Sequence, residues 1–419
     1  MESAQEAASG PRRGRTGFAD VPRTVRWIIY VNAAGGIAFG YLMIFITAYF
    51  PQIGIDAGTV GLLLGANGAA MVLCAVPLGL YSDRRGRKRP LLAASAVLPF
   101  MILVFGLTRD LAWLLFASVV AGISEGALLS TWNAIIADQT TPDQRSAAFA
   151  LSFVLGNLFS GIGSALPITF PSIRAATGWD DHTVHVLALL VTDAVGFVVP
   201  IALFVLLRNY QETLGRREAR PSRMNWRLLL KFSGLTGLIG LGAGFFIPLL
   251  ATWLLLKHGV PDTFSGPLIA GSNITIGLAA VGSAALAKRV GPVRAIVLAQ
   301  GLSTAFLLSL AFVGSPALAA GLYLVRAALM NMSAPIADSF LMGIVTREQR
   351  GLASAVNSIV WRLPNSITTI IGGILMDSGQ YDLPIFLATF FYVVSITGFF
   401  YVVSITGFYT VFRNVTPST

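Results

Sequence analysis

The sequence predicts an all-α membrane protein with twelve transmembrane helices, arranged as two pseudo-symmetric bundles of six. Of its 419 residues, 55% are hydrophobic and 11% are charged, and the mean hydropathy is +0.74, too apolar for a soluble domain of this size. Twelve apolar stretches are each long enough for the roughly 20 residues that cross a hydrocarbon core of about 30 Å. One long polar segment separates the first six stretches from the last six.

The twelve helices are predicted in order, separated by short polar connections. In the first half they cover residues 25–50, 58–81, 90–108, 111–137, 146–168 and 184–207. In the second half they cover residues 228–255, 265–287, 293–313, 317–342, 351–375 and 385–412. Residues 1–24 are predicted to be a disordered cytoplasmic tail, because they contain no apolar segment typical of a signal peptide.

Lys and Arg residues between the predicted spans and at their ends are distributed very unequally between the two sides. Twenty-four lie on the side of the tail and only three, Arg109, Arg174 and Lys257, on the other. The positive-inside rule therefore places both termini in the cytoplasm, and we expect a plasma (inner) membrane location. The net charge of +10 follows from this topology and gives no reason to expect nucleic-acid binding. The single cysteine, Cys74, excludes an internal disulfide.

The two halves of the chain are related in sequence, on either side of a cytoplasmic linker predicted at residues 209–227. An offset of 205 residues places "DRRGRKR" from Asp83 on "KRVGPVR" from Lys288. The same offset places "TTPDQRSAAFA" from Thr140 on "VTREQRGLASA" from Val345. We therefore predict an N-terminal bundle at residues 25–208 and a C-terminal bundle at residues 228–413.

The segment "GLYSDRRGRKRP", residues 79–90, resembles the signature G-x-x-x-D-R-x-G-R-K of the major facilitator superfamily. The matching residues are Gly79, Asp83, Arg84, Gly86, Arg87 and Lys88. The resemblance implies two parallel six-helix halves. It also implies that helices 1, 4, 7 and 10 line a central cavity, whereas helices 3, 6, 9 and 12 are peripheral.

The same segment is predicted to act as a conformational latch, together with Arg145. Gly86 permits a tight turn, and Asp83 can face the positive N-terminus of the helix that begins near Arg350. Such a contact holds the cytoplasmic side shut. The alternative is that these Arg and Lys residues only fix the topology.

Four charged residues lie near the middle of predicted spans, where a charge costs about 2.5 to 3.5 kcal/mol: Glu125, Asp193, Arg326 and Arg362. Glu125 is predicted to couple transport to protons, because alternating access transfers its carboxyl group between wet and dry surroundings. A structural hydrogen bond or a fixed ion pair is the alternative. For Asp193 we favour a structural partner inside the N-terminal half.

Arg326 and Arg362 are predicted to bind substrate, although Arg362 has the alternative of pairing with Glu125. Arg362 begins a polar stripe that continues through Asn365. Further predicted substrate contacts are Asn32, Trp132 and Tyr323, for which packing or an interhelical hydrogen bond is the alternative.

No catalytic or nucleotide-binding motif occurs, and we expect neither enzyme activity nor a cofactor or metal. The sequence favours a monomeric secondary transporter that exports small amphipathic molecules by alternating access, coupled to protons. Two signatures of drug/proton antiporters are absent: Ser118 replaces the expected Arg, and helix 5 has no Gly-Pro pair. The alternative is a symporter or facilitator for a small organic anion bound by Arg326 and Arg362. A scaffold or sensor without transport is a further alternative.

The last predicted helix contains "FYVVSITGF" twice, at residues 391–399 and 400–408. A helix over residues 385–412 is about 42 Å long, and the same helix without one nonamer is about 28 Å long. Nine residues turn a helix by about 900°, so the two copies face opposite directions. We predict that the second copy is dispensable and that the helix lies far from the cavity charges.

Overall fold

The computed structural model describes residues 18–210, 226–344 and 350–412, and within these ranges all regular structure is helical. The predicted all-α class is therefore confirmed. Eight helices in this part of the chain are long and apolar enough to cross a membrane. Most of the predicted tail (residues 1–17) and of the predicted linker (residues 211–225) lies outside the described residues.

Twelve long helices, named α1 to α12, follow the predicted order with ends that differ by a few residues. The first six are α1 Arg23–Gln52, α2 Ala57–Arg85, α3 Lys88–Leu107, α4 Leu111–Asp138, α5 Pro142–Ala165 with its extension Phe170–Thr177, and α6 Asp181–Leu206. The last six are α7 Trp226–Phe246 with its extension Leu250–His258, α8 Asp262–Val290, α9 Pro292–Leu310, α10 Pro316–Ile344, α11 Arg350–Asp377 and α12 Leu383–Phe412.

Aspartate side chains cap the beginnings of three helices. Asp56 accepts a hydrogen bond from the backbone N–H of Thr59 at 2.6 Å, and Asp110 caps α4 in the same way. Asp180 caps α6 through Thr183, whose hydroxyl and backbone hydrogen bonds lower the pKa of Asp180. Each carboxylate satisfies N–H groups that have no partner inside the helix, which fixes where the helix begins.

The ends of α2 and α8 preserve the internal duplication. α2 ends at Gly86 with φ of 102°, and α8 ends at Gly291 with φ of 84°. The two residues are 205 positions apart in the chain. A side chain rarely adopts this backbone conformation, so both halves use glycine for the same sharp turn.

The first six helices pack among themselves, as do the last six, and the two sets meet along two interfaces. One joins α2 to α11 and the other joins α5 to α8. A Cβ atom added to Gly61 of α2 would lie 2.7 Å from the backbone oxygen of Thr369 and 3.0 Å from the Cα atom of Gly373, both on α11. Two glycines therefore allow the backbones of α2 and α11 to touch.

Among the described residues, the hydrogen bonds that join the two sets lie towards one end of the molecule, called here the closed end. The closed end carries the turns at residues 53–56, 178–180, 259–261 and 378–382, and there the Thr252 hydroxyl donates to the backbone oxygen of Thr47. The open end carries the loop at residues 79–90. Along α11, Ser366 and Thr369 are buried near the closed end, whereas Ser358 is exposed towards the open end. α11 is therefore more exposed towards the open end.

Candidate functional site

A cavity of about 450 Å³ lies among the first six helices and is called here the first cavity. Most of its wall is apolar and includes Phe39 and Met43. Its polar wall residues include Asn32, Asn67 and Glu125, so the structure brings two of the predicted site residues together. The size and the largely apolar wall are typical of a site for a small organic molecule.

Glu125 is the acidic residue in the wall of the first cavity. The side chain of Asn67, on the neighbouring helix α2, donates a hydrogen bond to Oε1 of Glu125 at 3.2 Å. Gly122, one turn before Glu125, lies directly against the backbone oxygen of Asn67 and brings the two helices close together. The carboxyl group therefore has one fixed donor on one side and the cavity on the other.

Arg362 of α11 acts on Glu125 electrostatically across the boundary between the two sets of helices. The two described side chains do not form a contact ion pair within 4.0 Å. The guanidinium group lies over the ring of Trp361, 6.0 Å from its centroid. The two roles predicted for Arg362, substrate binding and pairing with Glu125, both stay predictions.

A second cavity of about 450 Å³ lies among the last six helices. Its wall includes Tyr323, Arg326 and Asn365, so three predicted substrate residues lie together here and apart from Glu125. Gln300, Asn331, Ser333, Asn357 and Trp361 add further polar and aromatic groups. Asn365 also donates to the backbone oxygen of Gly240 at 3.0 Å and so holds α11 against α7.

Arg326 is held by aromatic side chains. Its Nη2 atom donates to the hydroxyl of Tyr392 at 2.9 Å, and its guanidinium group lies about 6 Å from the rings of Tyr323 and Tyr392. The Nε atom of Arg326 is buried and has no hydrogen-bond partner among the described residues. This buried donor is available to an acceptor inside the second cavity.

Tyr392 is a site residue that the sequence analysis missed. It belongs to the first copy of the repeated nonamer, on α12, which we expected to lie far from the cavity charges. That expectation is wrong, because Tyr392 lines the second cavity and contacts Arg326 directly. The signal in the sequence was a tyrosine within a largely apolar span, and the duplication obscured it.

Two other charged or polar positions differ from what the sequence suggested. Trp132 is not part of either cavity wall as described, and its indole N–H donates to the Ser152 hydroxyl, which does line the first cavity. Asp193 is fully buried, and neither of its carboxyl oxygens has a hydrogen-bond partner among the described residues. The expected structural partner of Asp193 is therefore not observed.

The predicted latch residues contact their own half of the molecule in this conformation. Asp83 is 60% exposed and pairs with Arg87 at 3.2 Å, and Arg87 pairs with Asp138 of α4 at 2.6 Å. Burial opposes the charge of Arg87, but its bonds to Asp138 and Asp83 outweigh this effect and raise its pKa. The predicted contact of Asp83 is with the beginning of α11, beside residues 345–349, which lie outside the described residues, so this contact stays a prediction.

The other latch residues stabilise the turns at the open end. Arg145 donates to the backbone oxygen of Ala137, at the end of α4. Lys88 lies 5.7 Å from the ring of Phe204, and Arg84 is exposed. Gly79 brings α2 close to Ser130 of α4, where an added Cβ atom would lie 3.5 Å from that side chain.

Two sets of six helices, joined at one end and each with a cavity that has an ionisable side chain in its wall, are the architecture expected of a membrane transporter. The sequence matches the family model of the Major Facilitator Superfamily over residues 28–325. The chain belongs to the Major Facilitator Superfamily and is a transporter, not an enzyme.

Relatives and solved structures agree with this assignment. The chain is 25% identical over 295 residues to the multidrug resistance protein MdtG of Salmonella choleraesuis, covering 67% of this chain and 70% of that protein. It is 24% identical to MdtG of Salmonella heidelberg over 361 residues, covering 83% of this chain and 86% of that protein.

Solved structures have a similar fold. A bacterial homologue of the human lysosomal transporter Spinster, in an inward-facing and unoccupied conformation, matches with a TM-score of 0.69 and 15% identity, covering 90% of this chain and 96% of that one. The nucleoside transporter NupG is similar with a TM-score of 0.70 and 12% identity, covering 90% and 99%.

Proposed function

We propose that this transporter exports small amphipathic molecules by alternating access and that Glu125 couples export to protons. The observation that carries the proposal is a single carboxyl group in the wall of a largely apolar cavity, fixed by Asn67. Similarity to proteins named for multidrug resistance supports export as the direction.

The distribution of Lys and Arg supports the orientation of the protein in the membrane. The open end carries the Arg-rich loop at residues 79–90 and therefore faces the cytoplasm, with both termini on the same side. The conformation described here is then open to the cytoplasm, from which an exporter loads its substrate. We place the protein in the plasma membrane as a monomer.

Protonation of Glu125 changes the attraction between the two sets of helices. An ionised Glu125 attracts Arg362 on the opposite set, and a protonated Glu125 does not. A proton therefore has different interaction energies with the two conformations, which is the requirement for coupling. A cationic substrate in the first cavity competes with the proton for the same carboxylate.

The latch acts in the opposite conformation. When the cytoplasmic end closes, α2 and the N-terminus of α11 approach each other, and Asp83 then meets the positive end of that helix. The partial exposure of Asp83 and its solvent-screened pair with Arg87 support this role, because the carboxylate is accessible to a new partner.

The proposal is tested by the Glu125→Gln variant in inside-out vesicles with the membrane potential clamped. Uptake of radiolabelled tetraphenylphosphonium driven by a proton gradient should fall at least about tenfold, equivalent to about 1.4 kcal/mol. Exchange of labelled for unlabelled compound should continue, because exchange needs no net proton movement.

The matched control is Asp193→Asn, which removes a buried carboxyl group that does not line the first cavity. Gradient-driven uptake should persist in this variant. If uptake also persists in Glu125→Gln, or is lost equally in both variants, then Glu125 is not the specific coupling residue.

The second candidate function is transport of a small organic anion. It is favoured by the buried and unpartnered Nε donor of Arg326 inside a polar, aromatic cavity. A guanidinium group presents several donors that match a carboxylate. This candidate assigns the second cavity to substrate and is tested by the Arg326 variants described below.

A further inference from the structure

A buried hydrogen bond at the closed end connects the two sets of helices directly. Nε2 of His185, in the first turns of α6, lies 2.9 Å from Oδ2 of Asp262, the first residue of α8. The two residues are 1% and 2% exposed. Gln52, at the end of α1, donates to the other carboxyl oxygen of Asp262 at 3.1 Å. Two residues of the first six helices thus hold one carboxyl group of the last six.

Counting donors and acceptors shows that this contact contains a proton. Nδ1 of His185 lies 2.7 Å from the backbone oxygen of Asp181, and a carbonyl oxygen only accepts, so Nδ1 must carry a hydrogen. A neutral imidazole with hydrogen on Nδ1 has a bare lone pair on Nε2, facing Oδ2 of Asp262. The short contact therefore requires one additional proton, either on Nε2 or on the carboxyl group of Asp262.

The surroundings favour a protonated imidazole beside an ionised carboxylate. Asp262 lies at the N-terminus of α8, where the helix dipole stabilises negative charge, and it accepts the hydrogen bond from Gln52. The ring of Tyr49 stacks on that of His185 at 3.8 Å, a geometry that stabilises a cation. The other titratable groups around the pair are Tyr41, Arg109, Arg174, Asp180, Asp181 and His182.

We propose that His185 and Asp262 form a proton-binding site that holds the closed end shut. Removal of the shared proton leaves a lone pair facing a buried carboxylate, and this repulsion favours separation of the two sets. Uptake of a proton at this end closes it again. The proposal rests on the alternating-access cycle proposed above, since a gate needs a second state, but it is independent of proton binding at Glu125.

The duplication contains only one such site. At an offset of 205 residues, Asp262 corresponds to Ala57 and His185 corresponds to Phe390. The pair of positions related to His185 and Asp262 by the duplication therefore has no titratable side chain. The closed end therefore binds one proton per molecule through this contact. The ratio of closed to open molecules should fall by about one decade per pH unit where the closed pair keeps the proton and the open pair has lost it.

The experiment measures the separation of two spin labels across the closed end. Labels are attached at Thr177→Cys and Ser378→Cys, two exposed positions on opposite sets of helices, in purified Cys74→Ser protein in nanodiscs. All samples also carry Glu125→Gln, so that titration of the first cavity does not contribute. Raising the pH should shift the distance distribution from the short to the long separation, with a slope of about one proton.

Two variants remove the need for the proton while preserving the hydrogen bond. In Asp262→Asn the amide N–H donates to the neutral Nε2 of His185, and in His185→Gln the amide N–H donates to the carboxylate of Asp262. Both should keep the short separation at all pH values. The control is Asp382→Asn, which breaks the ion pair of Lys257 and Asp382 at the same end but within the last six helices, and should keep the parent slope.

The outcomes separate this proposal from the proposed export function. The proton-binding gate would be overturned if the label distances in the parent protein did not change with pH. It would also be overturned if Asp262→Asn or His185→Gln kept the parent's dependence of these distances on pH. Loss of the slope in Asp382→Asn would also overturn it, because any charge at this end would then suffice. None of these results bears on proton coupling at Glu125, which the vesicle assay measures separately.

Discussion

The two cavities are of similar volume and lie in related halves of the chain, yet their chemistry is opposite. The first has Glu125 in a largely apolar wall, and the second has Arg326 among aromatic and amide side chains. At the offset that relates the halves, Glu125 corresponds to Met330 and Arg326 corresponds to Ala121. The scaffold has been duplicated, as the paired turns at Gly86 and Gly291 show, but the charges have not.

We propose that this difference reflects a division of labour between the halves. A carboxyl group can carry a proton between wet and dry surroundings, whereas a guanidinium group stays charged and can only bind. The first cavity is therefore suited to proton coupling and the second to recognition of polar or anionic groups. The predictions that follow test this assignment.

Arg326→Gln should have the largest effect on the second cavity. Removing the guanidinium group should raise the KM for radiolabelled benzoate at least about tenfold, equivalent to about 1.4 kcal/mol of binding. The KM for tetraphenylphosphonium and its dependence on the proton gradient should change little, because Glu125 is intact. Both values are measured by flux into vesicles.

Arg326→Lys is the matched control for this prediction. It keeps the positive charge but loses the planar set of donors, so the KM for benzoate should lie between those of the parent and Arg326→Gln. An unchanged KM for benzoate in Arg326→Gln would remove the organic-anion function. A loss of proton-driven tetraphenylphosphonium uptake in Arg326→Gln would contradict the division between the cavities.

Tyr392→Phe should have an intermediate effect, on stability. The Tyr392 hydroxyl accepts a hydrogen bond from buried Arg326, and hydrogen bonds to charged groups are worth about 1.5 to 3 kcal/mol. The melting temperature of the purified protein should fall. Tyr401→Phe is the matched control, because Tyr401 occupies the same place in the second copy of the nonamer and is 67% exposed, against 1% for Tyr392.

The melting temperatures of the two variants distinguish their environments directly. Tyr401→Phe should melt with the parent protein. Equal losses of stability in both variants would show that the hydroxyl of an α12 tyrosine matters for a reason other than its contact with Arg326.

Much of the fold could be predicted from the sequence, because the thickness of the membrane fixes the length of each apolar span. The caps at Asp56, Asp110 and Asp180 and the glycine turn at Gly86 are local signals, so the helix ends were also predictable to within a few residues. The charges within the spans identified Glu125 and Arg326 for the same reason, since a buried charge is costly unless it has a role.

The contacts between distant parts of the chain could not be predicted. Nothing near Arg326 in sequence indicates Tyr392, and nothing near His185 indicates Asp262, because both contacts depend on how the helices assemble. The latch adds a related limit. A sequence does not specify which conformation is occupied: in this one Asp83 pairs with Arg87, and its contact with the beginning of α11 stays a prediction.

The smallest effect is expected from deleting residues 400–408. Because the two nonamers are identical, deleting either copy gives the same chain, and the remaining copy takes the position of the first. It therefore keeps Tyr392 against Arg326 and keeps the Ser395 hydroxyl on the backbone oxygen of Leu235, at 2.7 Å. α12 shortens from 30 residues to about 21, or about 32 Å, which still crosses a core of about 30 Å.

Transport of tetraphenylphosphonium and the melting temperature of the shortened protein should match those of the parent. Tyr392→Phe in the shortened chain should cost as much stability as it does in the full chain. A shortened protein that inserts normally but does not transport would assign a function to the second copy.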